Sequence, residues 1–281
     1  MDPSTVQSAS LLEYACASDV GRVRTHNEDA LAVSDEFGLA IVADGMGGYN
    51  AGEVASGIAV AVLKEALEQR FRREPSLLAL PPRRIEHLLA EEIGHANASI
   101  YAAAREEAGY QGMGTTLVLA LLRERDVVIA HIGDSRAYRL RDRRLAPLTR
   151  DHSLLQQQLD AGLITAEQAH AGKQKNLLTR GMGVSIDVEV DVGTHSLMPG
   201  DLILLCTDGL TDEMTNAQIQ EVLLGRGNDL PGACDDLIAG ANAARGADNI
   251  SVVLARRKGS SSRSGHGQRL LDGIARWVRQ R

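Results

Sequence analysis

The sequence predicts an α+β fold in which antiparallel sheets are covered by helices. Two observations carry that expectation. Short apolar runs joined by tight polar turns recur between residues 115 and 140 and again between 188 and 207, the pattern of strands that pair antiparallel. Two long segments with a single apolar stripe separate the strand groups and read as helices lying on one side of a sheet. A third observation concerns chemistry: three of the apolar runs end abruptly in an aspartate.

Taken in order, residues 11–18 alternate loosely, with Leu12, Tyr14 and Cys16 on one face, and read as a first strand. A polar loop, Arg24-Thr25-His26-Asn27-Glu28-Asp29, leads to strands at 30–33 and 39–43 around a turn at 35–38. The second of these runs, Ala40-Ile41-Val42-Ala43, stops at Asp44-Gly45-Met46-Gly47-Gly48, where the glycines allow a close backbone approach. The first helix places Val54, Ile58 and Val62 at four-residue spacing with Leu63 and Leu67 beside them. The second, over about 83–107, aligns Ile85, Leu88, Leu89, Ile93, Ala96 and Ile100. Strands follow at 115–122, 127–132 (running into Asp134) and 137–140. Residues 149–183 are mostly polar, with a capping-box pattern at Thr165-Ala166-Glu167-Gln168, and read as a surface flap. Strands at 188–196 and 202–207 come next, the latter delivering Asp208. Helices at about 215–224 and 231–244 and a last strand at 250–255 complete the pattern.

From Lys258 the composition changes. Residues 258–267 are a Gly/Ser-rich linker, and 268–281 form a basic amphipathic tail with Leu270, Leu271, Ile274, Trp277 and Val278 on one face and Arg269, Arg276, Arg279 and Arg281 around it. The tail reads either as a docking element for a partner or an anionic surface, or as a frayed or self-packing helix.

The chain has 281 residues, enough for one large core, and its 30 basic and 37 acidic residues leave a net charge of −7. That balance, with aromatics at 3%, argues against nucleic acid as a partner. Cys16, Cys206 and Cys234 have no C-x-x-C spacing and are expected to be buried, reduced thiols. The first residues carry no signal-peptide pattern and no run is long enough to span a membrane, so a cytoplasmic protein is expected.

The carboxylates at strand ends or in Gly-rich turns are Glu28, Asp29, Asp44, Asp134, Asp208, Asp212 and Asp248. Converging carboxylates repel and raise each other's pKa unless cations compensate. An all-oxygen set suits Mg²⁺ or Mn²⁺ rather than zinc, and so many carboxylates suggest at least two ions. Two ions roughly 3.5–4 Å apart clamp a phosphoryl group for in-line attack, and Arg24 could fork onto its oxygens. Aspartate before glycine is also a common turn dipeptide, so any one of these residues taken alone reads as structural.

The ordered set Arg24-x-x-Asn27-Glu28-Asp29, Asp44-Gly45-Met46-Gly47-Gly48, Gly114-Thr115-Thr116, Gly133-Asp134-Ser135-Arg136, Asp208-Gly209 and Asp248-Asn249 resembles the metal-dependent serine/threonine protein phosphatases of the protein phosphatase 2C family, in their bacterial form. Asn176-Leu177-Leu178-Thr179-Arg180 resembles the bacterial members too. The resemblance spans about residues 10 to 256. It implies a four-layer α-β-β-α sandwich, with residues 1–257 as the catalytic domain and the flap at 149–183 inserted in it. It implies that Asp44 bridges two ions, Mn²⁺ or Mg²⁺, with Asp208 and Asp248 on the first. Glu28 and the Gly45 carbonyl would lie on the second, with Asp29 supporting from outside. Asp134 and Asp212 match residues associated with a third, weaker ion, and Arg24 matches the phosphate-binding arginine. The implied reaction is direct attack of a metal-activated water on phosphoserine or phosphothreonine in proteins, opposing a bacterial Ser/Thr kinase, by a monomer.

Many eukaryotic members carry a histidine after the Asp-Gly, considered a general acid; here that position is Met46, which cannot donate a proton. His152, at the start of the flap, is a substitute to test, and otherwise reads as a surface histidine in a mobile loop. His26 and His131 read as structural. Two rival readings remain: a catalytically silent module on the same fold, which the filled carboxylate positions argue against, and another dinuclear hydrolase acting on small phosphoesters or nucleic acid.

Overall fold

Alternation with a period of two decides the architecture. In the computed structural model, which describes residues 12–48, 51–165, 168 and 177–258, nearly every central strand buries both faces, each against a different cluster. The first sheet orders β2 (Asp29–Ser34), β3 (Leu39–Met46), β5 (Leu117–Leu122), β6 (Asp126–Ile132) and β9 (Asp191–Ser196), with β4 (Gly114–Thr115) pairing the end of β3. The second orders β1 (Leu12–Asp19), β11 (Ile250–Arg257), β10 (Leu202–Cys206), β7 (Arg136–Arg141) and β8 (Arg144–Pro147). The pairings between these strands are antiparallel.

On β3, Leu39, Ile41 and Ala43 face outward to the helices, while Ala40 and Val42 face the other sheet. On β10, Leu202, Leu204 and Cys206 face outward and Ile203 and Leu205 inward. The helices α1 (Ala51–Arg73) and α2 (Pro82–Glu106) cover the first sheet. The helices α5 (Asn216–Arg226) and α6 (Leu230–Ala244) cover the second. The result is the four-layer α-β-β-α sandwich. Two short helices, α3 (Leu154–Asp160) and α4 (Asp208–Thr211), lie in the connections.

The stripe expected on α2 is buried throughout. On α1 the stripe is displaced: Ala55, Ser56, Ala59, Leu63 and Leu67 are buried, while Val54, Ile58 and Val62 only flank the core. Small residues let this helix approach the sheet closely, and hydropathy spacing favours the larger side chains instead. The strand expected over 115–122 is broken at Thr116 into β4 and β5. The strand expected from Val188 starts at Asp191. The edge strand β8 and the helix α4 were not anticipated. Cys16 is exposed rather than buried, while Cys206 and Cys234 are buried as expected. The capping box at Thr165 and Gln168 forms, and Thr215 caps α5 through the same motif with Gln218. The linker and tail, 259–281, lie outside the described residues, as do residues 166, 167 and 169–176 of the flap. No helix among the described residues is long and apolar enough to cross a membrane.

Candidate active site

The sequence-predicted carboxylates meet at one end of the sandwich, where β3 and β10 stop and β2 and β11 begin. Asp29 and Asp44 are register partners on β2 and β3. Thr207, which follows β10, donates its hydroxyl hydrogen to Asp29 Oδ2 at 3.0 Å and accepts the Ser251 N–H of β11 at 3.0 Å. The two sheets are therefore tied together through a carboxylate.

Asp44 is held by its backbone. Its N–H donates to Thr116 Oγ1 at 3.0 Å, and its carbonyl accepts from the Thr116 N–H at 2.9 Å and the Thr115 hydroxyl at 2.8 Å. The hydroxyls of Thr116 and Ser135 are 2.7 Å apart, which connects this strand end to the loop carrying Asp134. Asp208 opens α4 and Asp212 follows one turn later, its N–H on the Asp208 carbonyl at 2.7 Å. The two carboxylates thus rise on one helix face.

Glu28 and Gly45 form the opposite wall. The Gly45 N–H donates to the Glu28 carbonyl at 3.1 Å. A Cβ on Gly45 would lie 2.1 Å from the Gly52 carbonyl oxygen, so only glycine fits. A Cβ on Gly52 would lie 2.8 Å from both Glu28 Cδ and Oε1. The Glu28 carboxylate therefore rests on the first turn of α1, where the helix dipole favours an anion. Asn249 braces the preceding loop. Its amide donates to the carbonyls of Val20 and His26 at 3.0 and 2.9 Å, and its oxygen accepts the Glu28 N–H at 2.8 Å. Half-exposed Arg24 donates Nη2 to Asp248 Oδ2 at 2.7 Å.

The electrostatics are those of a crowded anionic cluster. Burial, and then the charges of Asp29, Asp208 and Asp134, push the Asp44 carboxyl far above the usual range. Asp208 is raised in the same way by burial, then by Asp134 and Asp212, and its carboxyl lies within hydrogen-bonding reach of Asp44. Burial raises Asp29 to about 7 and Asp134 to about 6, with Asp151 adding to the latter. Glu28 is raised by burial as well. Two buried carboxylate oxygens, Asp29 Oδ1 and Asp208 Oδ1, have no hydrogen-bond partner. Buried acceptors without donors, among carboxyls that resist ionising together, fit hard divalent cations, and the all-oxygen donor set suits Mg²⁺ or Mn²⁺.

Met46 is half-buried, and its methyl sits where a Cβ on Gly181 or Gly114 would come within 2.5 and 2.9 Å. It packs against the segment returning from the flap. The expectation of a surface histidine at 152 is overturned, because the ring is 8% exposed. Its Nδ1 accepts the Gly133 N–H at 3.2 Å, and its Nε2 faces Asp191 Oδ2 at 3.3 Å. The ring stacks on His131 at 4.6 Å between centroids, and His131 Nε2 donates to the Arg150 carbonyl at 2.9 Å. His131, His152 and Asp191 would suit a transition metal by residue type. The Arg180 guanidinium already occupies that place, 3.3 Å from His152 Nε2 and 2.8 Å from Asp191 Oδ1. This group fastens the flap's base instead, together with the Leu154 N–H on Leu177 and the Thr179 N–H on His152.

Sequence reasoning placed the carboxylates and overlooked the groups that hold them: Gly52, Thr116, Ser135, Thr207, Ser251 and Asn249. Three of these, Thr116, Ser135 and Asn249, stand inside motifs already singled out; the others carry no local signal.

A helix-covered double sheet with buried acids at the joined sheet ends defines a metal-dependent hydrolase of phosphoesters. Comparison with known proteins narrows the class. The Protein phosphatase 2C family profile matches residues 21–226. The serine/threonine phosphatase stp of Listeria welshimeri is 40% identical over 243 residues, covering 85% of this chain and 94% of that protein. The protein phosphatase PhpP of Streptococcus pneumoniae is 36% identical over 248 residues, covering 86% and 96%. The solved serine/threonine phosphatase PstP/Ppp of Mycobacterium tuberculosis has a TM-score of 0.78 at 35% identity, over 88% of this chain and 99% of that one. A PstP catalytic domain in complex with two manganese ions has a TM-score of 0.75 at 33% identity, over 88% and 99%. The chain belongs to the protein phosphatase 2C family. Its activity is that of a metal-dependent protein-serine/threonine phosphatase.

Proposed function

We propose that Asp44 bridges two divalent cations, Mn²⁺ or Mg²⁺, with Asp208 and Asp248 on the first and Glu28 and the Gly45 carbonyl on the second. Asp29 supports the pair from outside, and Asp134 and Asp212 hold a third, weaker ion. The observation that carries this reading is the set of buried carboxyls with partnerless oxygens at the sheet ends. When bound, the ions supply Lewis acidity, which makes water nucleophilic at neutral pH and neutralises phosphoryl oxygens.

The chain's own residues do the rest. Arg24 reaches from the loop rim and offers a planar fork to the phosphate oxygens, exchanging its bond to Asp248 for the substrate. The threonine hydroxyls and amides fix the Asp44 backbone, so that its carboxylate needs no reorganisation when charge develops. Met46 packs against Gly114 and Gly181 and offers no proton, so the leaving serine or threonine alkoxide takes its proton from another group.

Substrates are phosphoproteins, and the opposing enzyme is a bacterial Ser/Thr kinase. We assign the enzyme to the cytoplasm, acting as a monomer. The test is phosphate release from a phosphothreonine peptide with Mn²⁺, with chelator, and with Asp208→Ala. Activity should vanish with chelator and fall by at least about 10³-fold in the variant. Turnover indifferent to chelator would overturn the ligand assignment.

A further inference from the structure

We propose that the basic tail docks in cis, with its apolar face, into a groove at the end of the sandwich remote from the acidic cluster. The groove has a volume of about 920 Å³. Its apolar walls are Leu12, Phe37, Leu78, Leu80 and Leu122, drawn from β1, the β2–β3 turn, the short 3₁₀ turn Pro75–Ala79 with the residue after it, and the end of β5. Gly38 on its wall precedes β3, so Asp44 lies roughly 20 Å further along that strand.

Arg257, the last residue of β11, also lines this groove, so the chain leaves the sandwich on its wall. The nine residues 259–267 that follow are Gly/Ser-rich. Such a linker has a root-mean-square reach of roughly 15–18 Å, enough to return the next segment to the groove. That segment carries Leu270, Leu271, Ile274, Trp277 and Val278 at helical spacing. An effective concentration of about 1 mM would close even a contact of ~100 μM intrinsic dissociation constant about ten to one.

Charge selects this groove over its neighbour. Its lining carries Asp35, Glu36, Glu124 and Asp126 against Arg123, Arg125 and Arg257, a small acidic excess that suits the tail arginines 269, 276, 279 and 281, although Glu36 is paired with Arg72 and Asp126 with Arg123. A second cleft near the chain's exit, about 540 Å³, is lined by Arg143, Arg256, Arg257 and Lys258 against Glu13 and Asp142, a basic excess that disfavours them. Leu12 lines the same wall, but among the eleven residues before it in the sequence Met1, Val6 and Leu11 are the only large apolar ones.

Trp277 is the chain's one tryptophan, so its fluorescence reports the tail alone. In the full-length protein its emission should be that of a buried indole. Ala79→Arg, at an exposed lining position, should shift it to that of a solvated indole and make acrylamide quenching about tenfold stronger, the inverse of the open fraction. Glu124→Lys, on an exposed turn, should move it the same way to a lesser extent, and phosphatase activity retained in both variants certifies the fold. A solvated indole in the unmodified protein would overturn the proposal. So would emission indifferent to both variants, or a shift produced by Leu224→Arg in the basic cleft instead. A signal that grows with protein concentration would assign the groove to a second copy's tail and overturn docking in cis.

Discussion

Gly52→Ala tests whether the wall formed by Glu28 and Gly45 does chemistry. The added Cβ would stand 2.8 Å from Glu28 Cδ, 2.8 Å from Glu28 Oε1 and 2.8 Å from the Gly45 carbonyl carbon. Ordinary contact begins near 3.4 Å, so these groups must retreat by about 0.6 Å. The clash bears on backbone and on a carboxylate resting against a helix, and neither moves freely. Alanine gains about 1 kcal/mol of helix propensity, and overpacking costs roughly 1–3 kcal/mol, so the net stability change is a loss of about 0–2 kcal/mol. Activity should suffer more, because Glu28 and the Gly45 carbonyl move together. A displacement of this order in a positioned group costs up to about 10²-fold in kcat, and the Mn²⁺ concentration for half-activation should rise by about 10–100-fold. Gly57→Ala is the control: it lies on the same helix, exposed, and its Cβ would meet open space. It should raise Tm by roughly 2–4 °C, from about 1 kcal/mol of propensity, and leave Mn²⁺ activation unchanged. Phosphopeptide turnover over a Mn²⁺ titration and a thermal melt give all four numbers. If Gly52→Ala activates with the same Mn²⁺ midpoint and kcat as the parent, the Glu28–Gly45 wall is scaffolding and the second ion sits elsewhere.

Three further outcomes are expected. Burial raises Asp29 from its unfolded value near 3.9 to about 7, so without cations its contribution to stability is present below pH ~4 and lost as pH rises through ~7. In chelator at pH 8, Asp29→Asn should therefore melt above the parent by the equivalent of roughly 2–4 kcal/mol, with the gap closing at pH 4 or on adding Mn²⁺ to the parent; a gap equal at both pH values would refute this. Arg24→Ala should lose about 10–100-fold in kcat/KM on phosphopeptides, from the roughly 1.5–3 kcal/mol of a charge-assisted bond, and full activity would remove Arg24 from phosphate binding. His152→Gln should leave the shape of the pH–rate profile intact, because both ring nitrogens are already engaged by Gly133 and Asp191; loss of one limb would make His152 the proton donor after all.

What could be read from the chain and what could not divide along a physical line. Asp44 and Asp208 were visible because an apolar run ending in an acid is a local pattern, and local patterns survive in one dimension. The α2 stripe was visible for the same reason. The ties that hold those acids were not. Thr207 meets Asp29 across 178 positions, and Asn249 meets the Glu28 amide across 221. Gly52 has no meaning until α1 is laid on Glu28. The displaced face of α1 is the same failure in another form: Ala55 and Ala59 are buried because the helix comes close to the sheet, and closeness leaves small residues rather than hydrophobic ones. Cys16 was misjudged because an apolar neighbourhood in sequence does not say that a strand lies at a sheet edge, where β1 has β11 on one side only.

The position of the acids has an energetic logic that ties metal dependence to the fold. Two sheets packed face to face join largely through side chains, and at this end one joint is Asp29, held on one oxygen by Thr207 and bare on the other. An apolar pair would close the joint more cheaply. A buried carboxyl beside Asp44 and Asp208 instead makes that end of the sandwich unfavourable until positive charge arrives. On the ligand assignment we propose, cation binding is coupled to the docking of the two sheets, since the same carboxylates would serve both. It follows that substitutions at Thr207 or Ser251, which bear no charge and which we assign no ligand role, should weaken metal activation as well as stability. A substitution in the outer helix layers, such as Leu237→Ala on α6, should cost about 2–5 kcal/mol of stability and leave the metal midpoint unchanged.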